Sequence, residues 1–218
     1  MRSAEPDDPG WPRQLADLEH DTPRRLWITG AGDLRLLAVR SVAIVGARNA
    51  TSYGLQVAAR LAADLAGAGW TIVSGGAFGI DAAAHRGALA AGGATVAVTA
   101  GGVDVPTPRS HAALFAQIVD AGAICSEAPP GRTPQAFSFL RRNRLIAALT
   151  RVTVVVEAGA RSGALNTAEW AQTLGRPVCA VPGPVTSPMS AGTHRLVQEG
   201  QARLAVDADD ILAVLGRP

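Results

Sequence analysis

Val42-Ala43-Ile44-Val45-Gly46-Ala47-Arg48-Asn49-Ala50-Thr51-Ser52-Tyr53-Gly54 sets the reading of the whole chain. Four apolar residues run into a glycine turn. A capping hydroxyl, Thr51 or Ser52, then opens a stretch with apolar residues at three and four spacing as far as residue 66. This is a strand feeding a helix, and the unit recurs. Short apolar runs at 71–74, 95–99, 123–126, 152–157 and 178–181 alternate with helical spacing over 80–91, 109–121, 139–149 and 164–174. Strands that are apolar along their whole length must be covered on both faces, which is the condition of a parallel sheet with crossover helices. The expected fold is α/β, a doubly wound, mostly parallel sheet of extended Rossmann-like form over residues 41–218. Residues 1–40 read as an irregular lead-in wrapping that core, with 26–29 a candidate extra strand. The tail offers helices at 192–199 and 207–215.

Composition agrees with this and narrows the function. A chain of 218 residues with 48% hydrophobic and 17% charged residues is neither disordered nor a coiled coil. No apolar run reaches the roughly 18 residues that cross a bilayer. The start, MRSAEPDDPGWPRQ, is acidic and proline-bearing where a secretion signal needs a positive segment and then an apolar one, so a cytoplasmic protein with no membrane partner is expected. Cys125 and Cys179 stand in apolar surroundings and fit buried, reduced thiols better than a disulfide or a zinc site. Neither metal nor cofactor is expected.

Net charge is only +2, so a nucleic-acid reading depends on where the charge lies. Residues 1–21 hold six acids against two arginines. Residues 131–176 hold seven arginines (Arg132, Arg141, Arg142, Arg144, Arg151, Arg161, Arg176) against Glu157 and Glu169. All twenty basic residues are arginine, a bias that base composition of the gene explains as well as phosphate binding does.

In doubly wound folds ligands sit outside the carboxyl ends of the strands, so four strand-to-helix junctions matter. The first, after residue 45, lacks G-x-G-x-x-G, and Asp64 falls inside the helix where a ribose cannot use it. A turn glycine and a helix cap account for everything there except Arg48. The second, Ser74-Gly75-Gly76-Ala77-Phe78-Gly79-Ile80-Asp81, can converge backbone amides on an anion at a helix start. Asp81 and His85, at i and i+4, invite a hydrolase reading with Ser74. No G-x-S-x-G surrounds the serine, however, and an acid and a histidine on one helix more often share a local hydrogen bond. The third, Phe137-Ser138-Phe139-Leu140-Arg141-Arg142-Asn143-Arg144, suits a single strand, with forks for phosphates and a ring for an unstacked base. Its alternative is a helix whose arginines are merely solvated. The fourth, Glu157 through Thr167, again sets Ser162 and Gly163 at a helix start.

Taken together, V-G-A-R-N-x-T-x-Y-G, S-G-G-A-x-G-I-D-x-x-A-H, S-E-x-P-x-G, F-x-x-R-N-R-L-I-A-A-L, V-V-E-A-x-x-x-S-G-A-L-x-T-A and V-P-G-P resemble, in order and spacing, the bacterial DNA-processing protein A (DprA, Smf) family from about Trp11 to Leu212. The resemblance implies a homodimeric, non-enzymatic protein that binds single-stranded DNA, protects it during natural transformation and helps load the RecA recombinase. By motif, Arg48, Ser74, Gly75, Gly76, Gly79, Arg141, Arg142, Asn143, Arg144, Ser162 and Gly163 are the positions expected to face phosphates, with Phe139 expected to stack a base. The helix at 192–199, through Leu196 and Val197, is the candidate dimer surface. The chain departs from the family's usual residues at Leu140, Thr107-Pro108 and Gly200-Gln201. Members also commonly carry a helical domain before this core and a winged-helix domain after it, and neither pattern occurs within these residues. The rival class, phosphoribohydrolases with a related core, needs P-G-G-x-G-T-x-x-E. Here Pro182-Gly183 continues as Pro184-Val185-Thr186, and Gly192-Thr193 is followed by His194-Arg195, so the hydrolytic carboxylate is missing. A nucleotide-sensing Rossmann domain is the third alternative.

Overall fold

The computed structural model describes residues 1–215. Among the described residues nine strands form one sheet: β1 (Arg2–Ala4), β2 (Leu26–Thr29), β3 (Ser41–Val45), β4 (Thr71–Ser74), β5 (Thr95–Val98), β6 (Ala123–Ser126), β7 (Val152–Val155), β8 (Val178–Ala180) and β9 (Arg203–Leu204). Their order is β1-β2-β6-β5-β4-β3-β7-β8-β9. β3 to β9 pair in parallel, whereas β2 runs antiparallel to β6 and β1 antiparallel to β2. The lead-in is therefore less irregular than its proline and acid content suggests. It extends the sheet by two strands, and it also forms a 3-10 segment, Arg13–Asp21, and helix α1 (Leu34–Val39).

Helices α2 (Ser52–Gly67), α3 (Ile80–Ala90), α4 (Ala112–Ala121), α5 (Ala136–Leu149), α6 (Gly163–Thr173), α7 (Ala191–Gln198) and α8 (Ala208–Ala213) cover both faces. Alternation within β3 divides the core. Ala43 and Val45 face the layer holding α1, α5, α6 and α7, while Val42 and Ile44 face α2, α3 and α8. The chain moves outward from β3 through β4 and β5 to β6, and α5 then returns it to the opposite flank of β3, where β7 pairs Val155 with Val45. β3 and β7 thus diverge at a topological switch point, the place where an open α/β sheet leaves a crevice.

Among the described residues no helix is long and apolar enough to cross a membrane. Both cysteines are buried and free, and burial pushes the Cys125 thiol up to about 12 and that of Cys179 to about 11. Leu196 is core: only 4% of it is exposed, and Val197 packs beside it. The apolar edge of α7 is spent inside this chain, so Leu196 does not present the dimer surface expected of it.

Candidate nucleic-acid interface

The crevice at the switch point is a cleft of about 630 Å³. Two loops of the same local sequence help line it, Gly46-Ala47-Arg48 after β3 and Gly159-Ala160-Arg161 just beyond β7. The first turns of α5 close one side through Phe139, Leu140 and Asn143. Because β3 and β7 are neighbouring parallel strands, the repeated tripeptide delivers two arginines to one rim. Both are exposed, and neither makes a side-chain hydrogen bond or ion pair among the described residues. The guanidinium of Arg48 lies 4.7 Å from the centre of the Phe139 ring, a cation–π contact that holds it above the cleft. Phe139 therefore offers one ring face to Arg48, and its first task is to support that cation. Arg161 was not singled out from the sequence, although the repeated Gly-Ala-Arg was there to find it.

The wall is braced from behind. Glu157, just past β7 and 2% exposed, accepts from the Thr51 amide at 2.9 Å and from Thr51 Oγ1 at 2.6 Å. Thr51 Oγ1 in turn caps α2 by accepting from the Gly54 amide. A carboxylate at a helix start also meets the positive end of its dipole. Gly54 is required there, since a Cβ on it would run into the Glu157 carboxylate. Sequence reasoning passed over Glu157, because a buried acid next to apolar strand residues leaves no local pattern. Ser162 caps α6, accepting from the Ala164 amide, and Gly163 is the first residue of that helix. Asn143 donates to Gly163 O at 3.1 Å and so ties α5 to the α6 start. Asn143 positions the wall and has little surface to offer a strand.

The glycine-rich loop after β4 departs from expectation. Asp81, in the first turn of α3, turns back so that its Oδ2 accepts from the amides of Gly75, at 3.1 Å, and Ala77, at 3.3 Å. These amides already hold an anion, carried by the protein itself. Gly75 and Gly76 are buried, and Ser74 Oγ donates to Ile44 O at 2.7 Å. Gly79 turns the chain with φ +75°, and a Cβ on it would strike the Ala47 carbonyl. Burial pushes the Asp81 carboxyl above its usual 3.8, opposed by the nearby charge of Arg142 and by the amides it accepts from. Asp81 and His85 do not share a hydrogen bond. His85 is fully buried, and its Nδ1 lies 2.7 Å from Thr95 Oγ1, whose own proton goes to Ile72 O. The ring must then carry its hydrogen on Nδ1 and donate to Thr95, which leaves Nε2 an acceptor with no partner. Desolvation, with His111, Arg142 and Arg86 nearby, lowers its pKa to about 3. Ser74 lies beside Asp81 but its hydroxyl donates to Ile44 O, and His85 bonds Thr95, so the three are not arranged as a proton relay.

The basic centre of the chain also divides. Arg142, 5% exposed, donates to Gly75 O at 2.9 Å and to Val98 O, so it clamps α5 onto the ends of β4 and β5. Arg144, 3% exposed, sends two nitrogens to Glu127, at 3.0 and 2.6 Å, and its Nε to Asp21 O. Arg176 donates to the Ala147 and Thr150 carbonyls and pairs with Asp17 at 2.8 Å. These three arginines hold the fold, which was neither of the two readings open to the sequence. Arg141 is 64% exposed and touches Glu127 at 3.2 Å through Nε. Of the residues expected to face phosphate, Arg48, Ser162 and Gly163 line the open cleft and Arg141 lies on the far side of α5. Arg142 reaches the cleft floor, and Ser74, Gly75, Gly76 and Arg144 lie within the fold.

Comparison with known proteins bears on this site. The family model described as DNA recombination-mediator protein A matches residues 3–216. The chain is 55% identical over 195 residues to a Mycobacterium tuberculosis protein carrying the DprA name, with 89% of this chain and 50% of that protein covered. Its fold superposes on DNA processing protein A of Streptococcus pneumoniae with a TM-score of 0.91 at 38% identity, covering 98% of this chain and 74% of that one. It superposes on DNA processing protein A of Helicobacter pylori, whose structure was described for its single-stranded DNA binding mode, with a TM-score of 0.86 at 30% identity, covering 99% and 96%. The chain spans about half the length of several curated relatives it matches.

Proposed function

Because the chain belongs to the DNA recombination-mediator protein A family, we propose that its switch-point cleft holds single-stranded DNA, protects it during natural transformation and presents it for loading of the RecA recombinase. The observation that carries this is the convergence of Arg48 and Arg161, on matching loops of adjacent strands, over a cleft whose side wall supplies Phe139. Free guanidinium forks take phosphates, and the ring-backed cation Arg48 meets a base or a phosphate at the same spot. Binding through phosphates makes sequence preference slight.

The protein acts here as a binder and not as an enzyme. A hydrolase needs a nucleophile within reach of a base, whereas Ser74 Oγ donates to Ile44 O, Asp81 accepts from backbone amides and His85 Nδ1 donates to Thr95. The cytoplasm, where RecA works on incoming strands, is the proposed setting, and a homodimer the proposed assembly. If two copies associate, they do so through a surface other than Leu196, and sedimentation of a Leu196 variant reports folding, not assembly.

The direct test is a mobility-shift titration of the full chain with matched single-stranded and duplex DNA. Tight retention of the single strand and weak retention of duplex are expected. Equal retention of both, or release of a base from a nucleoside monophosphate, would overturn the reading.

A further inference from the structure

The cleft of Arg48 does not end at α5. Arg142 lines it and also a second cleft of about 320 Å³, bordered by Arg132, Phe137 and Arg141. Arg141 and Glu127 then wall both that cleft and a third of about 510 Å³, which is built on Thr22, Pro23, Arg24 and Arg25 of the lead-in. Each cleft thus shares lining residues with the next. The first turns of α5 are the crest between the first two, with Phe139 and Asn143 on the side of the first cleft and Phe137 and Arg141, four residues apart, facing the second.

This second half has the chemistry of the first. Phe137 is 59% exposed, a large apolar ring standing in water beside arginines. Arg132 and Arg24 are exposed and make no side-chain hydrogen bond or ion pair among the described residues. Glu127, the carboxylate between the two outer clefts, is already answered by Arg144 and Arg141. Four arginines line the third cleft against Glu127 and Asp21, and one of them, Arg25, is held by Glu5 and lies 5.6 Å from the Trp27 ring centre. Cations alternating with an exposed ring match the alternation of phosphate and base along a single strand, whereas a duplex offers the ring no unstacked base.

We propose that a bound single strand crosses the first turns of α5 and continues to the lead-in, with Phe137 as a second stacking platform and Arg132, Arg141 and Arg24 taking successive phosphates. This rests on the single-strand reading of the first cleft, which it extends. The lead-in would then be part of the binding surface as well as a brace.

The test is a length series of oligothymidylates, followed by fluorescence anisotropy at low salt, on the full chain and on variants Phe137→Ala and Arg24→Ala. Both side chains are exposed, so the fold should survive, and a melting curve checks it. For the shortest strands bound, the variants should match the parent. For longer strands the parent should gain affinity, and Phe137→Ala should forfeit roughly fivefold to a hundredfold of that gain, the cost of one unstacked base. Arg24→Ala should reduce the salt slope for long strands by about 0.7 and leave the short-strand slope alone. Statistical gain from extra binding registers is common to all three proteins and cancels in the ratio. If the gain with length is the same in parent and variants, or if Phe137→Ala already weakens the shortest strands, the extended path is wrong while the first cleft stands. If no single strand binds the parent at any length, the function reading itself falls.

Discussion

The glycine-bearing junctions at the carboxyl edge of the sheet end in two opposite conditions. After β4, the amides of Gly75 and Ala77 close on the carboxylate of Asp81, with Gly75 and Gly76 buried and Ala77 and Asp81 at the edge of the cleft. After β3 and β7, the Gly-Ala-Arg loops carry exposed arginines that line an open cleft. The difference comes from where each junction finds its negative charge. A carboxylate in the first turn of α3 satisfies the first junction from within. The acid near the second, Glu157, is turned away to cap α2, so Arg48 and Arg161 remain for a ligand. The closed junction should then govern stability and the open one binding.

Asp81→Ala gives the largest expected effect. It strips the buried Gly75 amide and the half-buried Ala77 amide of their acceptor and Arg142 of a favourable charge, and should cost about 3 kcal/mol or more of stability. Chemical denaturation measures it. A loss of DNA binding in a variant that stays fully stable would make the closed loop a ligand site after all.

His85 probes the same region through pH. Its folded pKa, about 3, lies below the 6.5 of an unfolded histidine, so the unfolded chain takes the proton first. The stability associated with neutral His85 is complete above pH 6.5 and is lost as pH falls toward 3. Against His85→Asn, the parent should therefore lose about 1.4 kcal/mol per pH unit below 6.5, or about 2 kcal/mol by pH 5. Parallel stability curves for the two proteins between pH 7.5 and 5 would contradict this.

Arg161→Ala tests the open wall on its less obvious side. It should weaken single-strand binding by about 1.5 kcal/mol, roughly tenfold, with no change in melting temperature. The smallest expected effect is a coupling. Since Arg48 lies over Phe139, a double-mutant cycle on strand affinity should show about 0.5–1 kcal/mol of interaction between the two. Strict additivity would mean that ring and cation act on DNA separately.

Much of this was legible in the sequence, for reasons that also mark where reading stops. The strands at 71–74 and 123–126 coincide with the structure, because short, nearly all apolar runs between helical stretches have one reading in this fold. β1 was invisible: three residues carry no periodicity, and Arg2–Ala4 becomes a strand only through its pairing with β2. Arg48, Phe139, Ser162 and Gly163 line the cleft, as expected of strand ends in an open α/β sheet. The burial of Arg142 and Arg144 was not legible, because arginine is ordinarily exposed. Only the fold brings Glu127 and the carbonyls of Gly75 and Asp21 to them. For the closed loop the signal was present, since an acid in the first turn of the following helix can serve as the anion that the loop's amides await.

The salt dependence of oligothymidylate binding, parent against Arg48→Ala, tests the central claim most directly. The account predicts weaker binding across all sequences, a slope of log affinity on log salt shallower by about 0.7, and an unchanged melting temperature. If Arg48→Ala remains folded and binds as tightly as the parent at low salt with the same slope, Arg48 is a structural arginine and the open cleft is not where the strand lies.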